Sequence, residues 1–270
     1  MKVVLFCGGA GMRLRGYSED VPKPMVTIGA RPVLWHVMKY YAHFGHKEFI
    51  LCLGYKASVI KNHFLEYEES VSNDFVFSQG GRKLEFMQRD IDDWKITFLD
   101  TGLRATIADR LRHVEPYLEG EEAFLANYSD GLTDFHLPLM IQEFRRRGSY
   151  ASFLSVQPRS SSLDTVQSSE DGCVRAIRSM KDANIWVNGG YFVFRKEIFR
   201  YIKPGEELVY EPLERLILEG RVWSPRHEGF WQCMDTFRDK QILDELEASG
   251  TPPWRLWKNG KEAAGIASAG

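Results

Sequence analysis

Val3-Val4-Leu5-Phe6-Cys7-Gly8-Gly9-Ala10-Gly11-Met12-Arg13-Leu14 is an apolar run that breaks at once into glycines. Val3 to Phe6 is apolar, partly β-branched and bounded by glycine, which predicts a buried strand. The alternation continues outward from it. Pro32 to Phe44 carries Val33, Leu34, Val37, Met38 and Tyr41 at helical spacing, with Pro32 suited to a first turn. Phe49 to Leu53 reads as a second strand, and Ala57 to Tyr67 puts Val59, Ile60, Phe64 and Leu65 on one helical face. Ile96 to Leu99, Ala123 to Ala126 and Ala151 to Val156 read as further strands, with helices over Ile107 to Tyr117 and Leu137 to Arg147. Strands alternating with helices predict an α/β fold with a mostly parallel mixed sheet flanked by helices. Beyond residue 158 the chain turns polar and loop-rich as far as 187, with a strand-like patch at Val174 to Ile177. Tyr191 to Phe194 then reads as a strand, and Glu211 to Leu218 and Thr236 to Glu247 as helices; residues 259–270 read as a flexible tail.

The 270 residues are 44% hydrophobic and 27% charged, a soluble globular composition. Lys and Arg total 35 against 37 Asp and Glu, so no global charge attracts nucleic acid or anionic lipid, and neither is expected as a partner. No apolar run approaches the roughly 20 residues that span a bilayer. The run from Val3 to Cys7 is too short for a signal-peptide core. Cys7, Cys52, Cys173 and Cys233 lie far apart with no C-x-x-C pair, which suits a reduced, cytoplasmic protein whose thiols are not its chemistry.

The glycine turn is the first candidate for chemistry. Successive N–H groups in such a turn form an anion nest, and glycine lets a ligand approach the backbone closely. It is not a dinucleotide fingerprint, because the third glycine of G-x-G-x-x-G falls on Leu14. It is not a P-loop either: Gly11 to Gly16 has the spacing, but Tyr17-Ser18 stands where Lys-Ser/Thr belongs. A glycine cluster alone reads more often as a tight structural turn. Arg13 within it and Pro22-Lys23-Pro24-Met25 after it point to polyphosphate, since two prolines would hold the Lys23 ammonium in place.

Leu5 to Leu14 followed by Pro22-Lys23-Pro24-Met25 resembles the signature of the sugar-1-phosphate nucleotidyltransferases. Pro32 to Met38, Gly54-Tyr55-Lys56, Asp100-Thr101-Gly102, Asn188-Gly189-Gly190-Tyr191-Phe192 and Gly229 to Thr236 are similar to its glucose-1-phosphate cytidylyltransferase branch. The resemblance runs from residue 1 to about 258. It implies a Rossmann-like sheet of the nucleotide-diphospho-sugar transferase type, in one domain over residues 1–258. Residues 1–150 would bind the nucleotide, and 151–258 would shape the sugar site. The implied reaction moves a nucleotidyl group from an NTP, CTP in this branch, to a sugar 1-phosphate, here glucose 1-phosphate. CDP-glucose and pyrophosphate are the products, Mg2+ is the cofactor, and a homo-oligomer is expected.

The resemblance also implies roles. Arg13 and Lys23 would be catalytic, Arg13 on the leaving phosphates and Lys23 where charge grows in the transition state. Leu5, Cys7, Gly8, Gly9, Gly11, Met12, Arg13, Gln79, Arg110 and Ser129 would bind the nucleotide. Tyr128, Lys181, Asn188, Gly189 and Glu211 would bind the sugar phosphate, and Asp130 and Asp235 would hold the metal through hard oxygens. Taken alone, the residues allow plainer readings: Asp130-Gly131 as a turn, Asp235 as a helix cap, Asn188-Gly189 as a hairpin turn, Glu211 as a cap. Trp94, Phe230 and Trp231 read as packing, and Tyr128 as either core or a hydroxyl donor. Arg110 takes a phosphate or sugar, or is occupied by its neighbour Asp109 in a local ion pair.

Three departures stand out. Met12 replaces the family's usual Thr, Lys181 is displaced from the family's sugar-phosphate lysine, and Arg159-Ser160-Ser161-Ser162 replaces a more regular segment. They leave room for another base or sugar, or for a non-catalytic nucleotide-sugar sensor. A glycosyltransferase of similar topology would want a D-x-D motif, which Ser129-Asp130-Gly131 does not supply.

Overall fold

The computed structural model describes residues 1–9, 21–87, 89–158, 164–180 and 183–258. Chain order begins with β1 (Val3–Phe6), the short β2 (Thr27–Ile28) and β3 (Arg31–Pro32), α1 (Val33–His43), β4 (Glu48–Leu53), α2 (Ala57–Leu65) and α3 (Glu69–Ser72). A hairpin of β5 (Phe75–Ser78) and β6 (Lys83–Phe86) follows, then β7 (Lys95–Asp100), α4 (Ile107–Val114), β8 (Ala123–Asn127), β9 (Gly131–Thr133), α5 (Leu137–Arg147) and β10 (Ala151–Val156). The last third holds β11 (Asp164–Ser168), β12 (Val174–Ser179), β13 (Val187–Arg195), α6 (Glu211–Leu218), β14 (Val222–Trp223), β15 (Arg226–His227), β16 (Trp231–Cys233) and α7 (Phe237–Ala248).

The main sheet runs β14-β10-β13-β8-β1-β4-β7, with β15 also on β10. β1 pairs in parallel with β4 and β8, and β4 with β7, whereas β13 runs antiparallel between β8 and β10. This is the expected mixed, mostly parallel sheet. Strand order reverses at β1: the chain builds outward through β4 and β7, then returns to place β8 on the other flank. A crevice opens at such a switch point, at the carboxyl ends of the strands, and ligands bind there.

Alternate residues of β1 serve two cores. Val3 and Leu5 pack with α1, α5, α7 and Trp254, while Val4 and Phe6 pack with α4 and α6, and all four are buried. The segment after α7 seals the first face. Trp254 is 1% exposed, and its indole N–H donates to His36 Nδ1 at 3.3 Å. An indole nitrogen can only donate, so Nδ1 accepts and the His36 proton sits on Nε2, facing the Ile28 carbonyl at 3.2 Å.

Structure and expectation part in a few places. The helix begun at Ile107 ends at Val114, because Pro116 cannot continue the ladder and the chain tightens into a 3₁₀ turn, Glu115–Leu118. The polar stretch after residue 158 holds a complete hairpin, β11 with β12. Asn188-Gly189 is no hairpin turn: both residues lie inside β13, Asn188 opposite Ser155. Cys7 and Cys52 are buried as expected, and burial pushes the Cys7 thiol up to about 12 and the Cys52 thiol also upward, so neither is a ready nucleophile. Among the described residues, no helix is long and apolar enough to cross a membrane.

Candidate functional site

Lys23 opens a 3₁₀ turn, Lys23–Met25, whose shape the flanking prolines set. Pro22 holds φ at −66°, the Met25 N–H donates to the Pro22 carbonyl at 2.8 Å, and Pro24 and Met25 are buried as anchors. The side chain therefore leaves a fixed base. Its Nζ donates to Asp130 Oδ2 at 2.6 Å and to Asp235 Oδ1 at 2.5 Å, partners 107 and 212 residues away.

Two three-residue strands bring those carboxylates together. β9 and β16 pair antiparallel with Gly131 opposite Cys233, and the Met234 N–H extends the ladder to the Asp130 carbonyl at 2.9 Å. The residues just off this ladder, Asp130 and Asp235, thus stand side by side. Asp130 is aimed by the residue before it. Ser129 has φ +65°, a left-handed conformation that costs a non-glycine residue about 1–3 kcal/mol unless its surroundings impose it. Here its N–H donates to Asn127 Oδ1 at 2.7 Å and its hydroxyl to the Phe6 carbonyl at 2.8 Å. Asp235 is not the cap of α7. Thr236 is, and Asp239 Oδ2 accepts both the Thr236 N–H at 2.8 Å and the Asp235 N–H at 3.2 Å. The Asp235 carboxylate is thereby spared to face Lys23.

Charge in the cluster is finely set. Burial works against the Lys23 ammonium, but Asp130 and Asp235 outweigh it and hold its pKa above the ordinary lysine value. Burial pushes the Asp130 carboxyl up, against the pull of Lys23, and the Asp235 charge adds to the rise. The point where two hard carboxylate oxygens converge, within 2.6 Å, is taken by the Lys23 ammonium; the donor set, two carboxylates side by side, is of the kind a small divalent cation takes. Among the described residues, no group of three or more His, Cys, Asp or Glu side chains gathers as a metal cage. Any ion there would take its remaining ligands from substrate and water.

The other expected residues fall in several places. Tyr128 and Asn188 meet beside Asp130, Asn188 Nδ2 donating to the Tyr128 hydroxyl at 3.4 Å. Gly190, at φ +79°, leaves room for the tyrosine ring: a Cβ there would stand 2.7 Å from Tyr128 Cδ2. The Gly189 carbonyl accepts the Trp231 indole N–H at 2.9 Å, so that tryptophan pins the strand. Trp94 packs on Phe49 and Phe230 on Trp254, as the packing reading has it. Glu211 is exposed at the start of α6, accepting the Glu207 N–H at 3.2 Å, and Gln79 is exposed at the turn between β5 and β6. Leu5 and Cys7 are fully buried side chains, and the hydroxyl of the buried Ser129 is committed to Phe6. These three shape the floor and offer a ligand no side-chain group. Gly8 is buried and Gly9 exposed at the mouth of the turn. Arg110 is 3% exposed and does not pair with Asp109, whose Oδ1 accepts the Gly205 N–H at 3.1 Å. Gly11, Met12, Arg13 and Lys181 lie outside the described residues. Sequence reasoning missed Asp239; Thr236-x-x-Asp239, a variant of the capping-box spacing, was the signal for it.

Comparison with known proteins agrees with this architecture. A glucose-1-phosphate cytidylyltransferase of Salmonella typhi is 36% identical over 262 residues, covering 96% of this chain and 100% of that protein. A Bacillus subtilis (strain 168) protein described as a "probable glucose-1-phosphate cytidylyltransferase" is 34% identical over 95% of this chain and 100% of its own. The crystal structure of HddC from Yersinia pseudotuberculosis shares the fold, with a TM-score of 0.63 at 19% identity over 90% of this chain and 98% of that one. The sequence model of the nucleotidyl transferase family matches residues 2–220, from β1 through α6. A match that takes in the switch-point strands, the glycine turn and both halves of the sheet leaves one conclusion: the chain belongs to the nucleotidyl transferase family.

Proposed function

We propose that the protein transfers the cytidylyl group of CTP to glucose 1-phosphate, releasing pyrophosphate and CDP-glucose, with Mg2+ as cofactor. The observation that carries the reading is the meeting of Lys23, Asp130 and Asp235 at the switch-point crevice, beside the glycine turn after β1. The choice of CTP and glucose 1-phosphate is supported by the names of relatives that align with this chain over their whole length.

The chemistry follows from charge. A phosphate oxygen of the sugar 1-phosphate attacks the α-phosphorus, the bond to the bridging oxygen breaks, and pyrophosphate carries the electrons away. Catalysis is mostly alignment and charge neutralisation. The two carboxylates favour the ammonium form of Lys23, and that ammonium would present to phosphate oxygens the donors it now gives to carboxylates. Asp130 and Asp235 would hold the Mg2+, which when bound neutralises charge on the triphosphate. Tyr128 and Asn188 offer a hydroxyl and an amide to the sugar, Glu211 a carboxylate, and Arg13 keeps the leaving-phosphate role its sequence position implies.

Pyrophosphate release with magnesium tests the reading, across CTP, UTP, dTTP, GTP and ATP, each with glucose 1-phosphate and mannose 1-phosphate. Release confined to CTP with glucose 1-phosphate is expected. Release with another pair keeps the reaction and moves the substrate. Silence from a folded, nucleotide-binding protein would favour a nucleotide-sugar sensor.

A further inference from the structure

β9 and β16 form a sheet of their own, joined by the pairs Gly131–Cys233, Leu132–Gln232 and Thr133–Trp231. Two strands that short are marginal alone, and a one-residue slip would carry the side chains of one strand to the opposite face. A further tie lies past the far end of the ladder from Asp130 and Asp235. There Asp134 takes both backbone groups of Phe230: its Oδ1 accepts the Phe230 N–H at 2.9 Å, and its own N–H donates to the Phe230 carbonyl at 3.2 Å. The same Oδ1 stands 2.7 Å from His227 Nε2, which also faces the Phe230 carbonyl at 3.3 Å. Both of those oxygens are acceptors, so Nε2 carries the proton and donates. Thr133 adds its hydroxyl to the same carbonyl at 2.8 Å. Gly229 leaves room for the pair: a Cβ there would stand 2.5 Å from His227 Cε1 and 2.6 Å from Asp134 Oδ1.

Hydrogen bonds to a carboxylate are stronger than those between neutral groups, and here one oxygen takes two. The clasp is part-buried, with the His227 ring edge-on to Phe135 at 5.2 Å between centroids. Asp134 follows Asp130 at a distance of about 14 Å along an extended strand, too far to share its partners. The Trp231 indole ties β16 to β13, a third strand, so what β9 itself adds at this end of the ladder is Asp134. We infer that Asp134 and His227 are positioning residues for the reaction centre: clasping the start of β16 to the end of β9, they keep the Asp235 carboxylate abreast of Asp130. The inference rests on those two carboxylates serving magnesium and the triphosphate, as the functional reading has it.

Calorimetric titration of CTP, with Mg2+ and with EDTA, into wild type, Asp134→Ala, Asp134→Asn and His227→Leu tests it, with thermal melts alongside. The tightening that Mg2+ gives to CTP should fall about tenfold in Asp134→Ala, while affinity in EDTA stays within about twofold. Asp134→Asn keeps an oxygen that can accept both bonds and should recover most of the tightening. His227→Leu leaves the Phe230 N–H on Asp134 and should show the same pattern at about threefold; it carries the test should Asp134→Ala fail to fold. Equal losses with and without Mg2+ would overturn the inference in favour of a prop for the whole pocket. Lower melting with the Mg2+ tightening intact would overturn it in favour of a brace for the fold. Wild type that binds CTP no tighter with Mg2+ would sink the magnesium reading and this inference with it, whereas unchanged variants of a magnesium-dependent wild type would sink the inference alone.

Discussion

Two cations stand at the carboxyl edge of the same sheet and are held by opposite chemistry. Lys23 is part-exposed, gripped by two carboxylates, with its pKa raised; Arg110 is buried, gripped by carbonyls and a hydroxyl, with its pKa lowered by burial. A cation on carboxylates can exchange them for phosphate oxygens, because the new partners resemble the old. A cation locked among backbone dipoles cannot leave without unmaking three loops. The first holds partners that a substrate could replace; the second ties together the loops at the edge of the sheet.

The sharpest way to break the comparison is Lys23→Ala. Removing a charge that counts most in the transition state should cut turnover about 10²- to 10³-fold while nucleotide KM stays within about threefold. A KM rise as large as the loss of turnover would make Lys23 a binding group only. Asp235→Asn should come next, with turnover down about 10²-fold and a higher magnesium requirement. The protein should stay folded, because Thr236 and Asp239 cap α7 without Asp235. Circular dichroism showing an unfolded product would instead make that aspartate structural.

His36 extends the comparison to a third group, again held by neutral partners. Burial, with the Arg255 and Arg31 charges adding, pushes it down to about 4 even though the Ile28 carbonyl accepts its proton. The unfolded chain then binds the proton more tightly than the folded one. Stability is therefore complete above about pH 6.5 and lost as pH falls toward about 4, by about 3 kcal/mol in all. Urea midpoints between pH 4 and 7 should fall accordingly in wild type and much less in His36→Gln. Parallel slopes for the two would mean that Trp254 and Ile28 do not hold His36 neutral.

How much of this was legible in the sequence depends on burial. Val3 to Phe6, Phe49 to Leu53 and Ala151 to Val156 announce themselves because strands covered on both faces leave apolar runs. β11 and β12 bury neither face, so Val166, Val174 and Ile177 sit exposed among polar neighbours; β12 shows only as the patch Val174 to Ile177, and β11 leaves no alternation. β9 and β16 are three residues each, too short for any period, yet they alone bring Asp130 beside Asp235. Lys23 was readable because its prolines are local. The surroundings of Arg110 were not, since they come from three strands; the only trace was a glycine shortly after each, at Gly8, Gly54 and Gly102.

Those glycines supply a smaller test. Gly54→Ala puts a methyl carbon against the carbonyls of Gly8 and Gly102 and beside Nη1, and backbone cannot swing aside as a free side chain can. Overpacking of this kind costs about 1–3 kcal/mol. A denaturant midpoint unchanged from wild type would show the loops around Arg110 to be slack, and the contrast with Lys23 would lose half its content.

Asp109→Ala should have the least effect, and it addresses the comparison most directly. Asp109 is the nearest carboxylate in sequence to Arg110, and an ion pair between them would make the two cations alike. Instead its Oδ1 accepts the Gly205 N–H, its own N–H donates to the Thr106 cap, and the Gly205 contact holds its carboxyl below the usual range. Removing it takes away one surface hydrogen bond and a favourable charge in the first turn of α4, together under about 1 kcal/mol. Nucleotide affinity should stay at the wild-type value. A clear fall in CTP affinity would mean that the Asp109 charge reaches the arginine after all, and that the division between a cation held by carboxylates and a cation held by carbonyls does not hold.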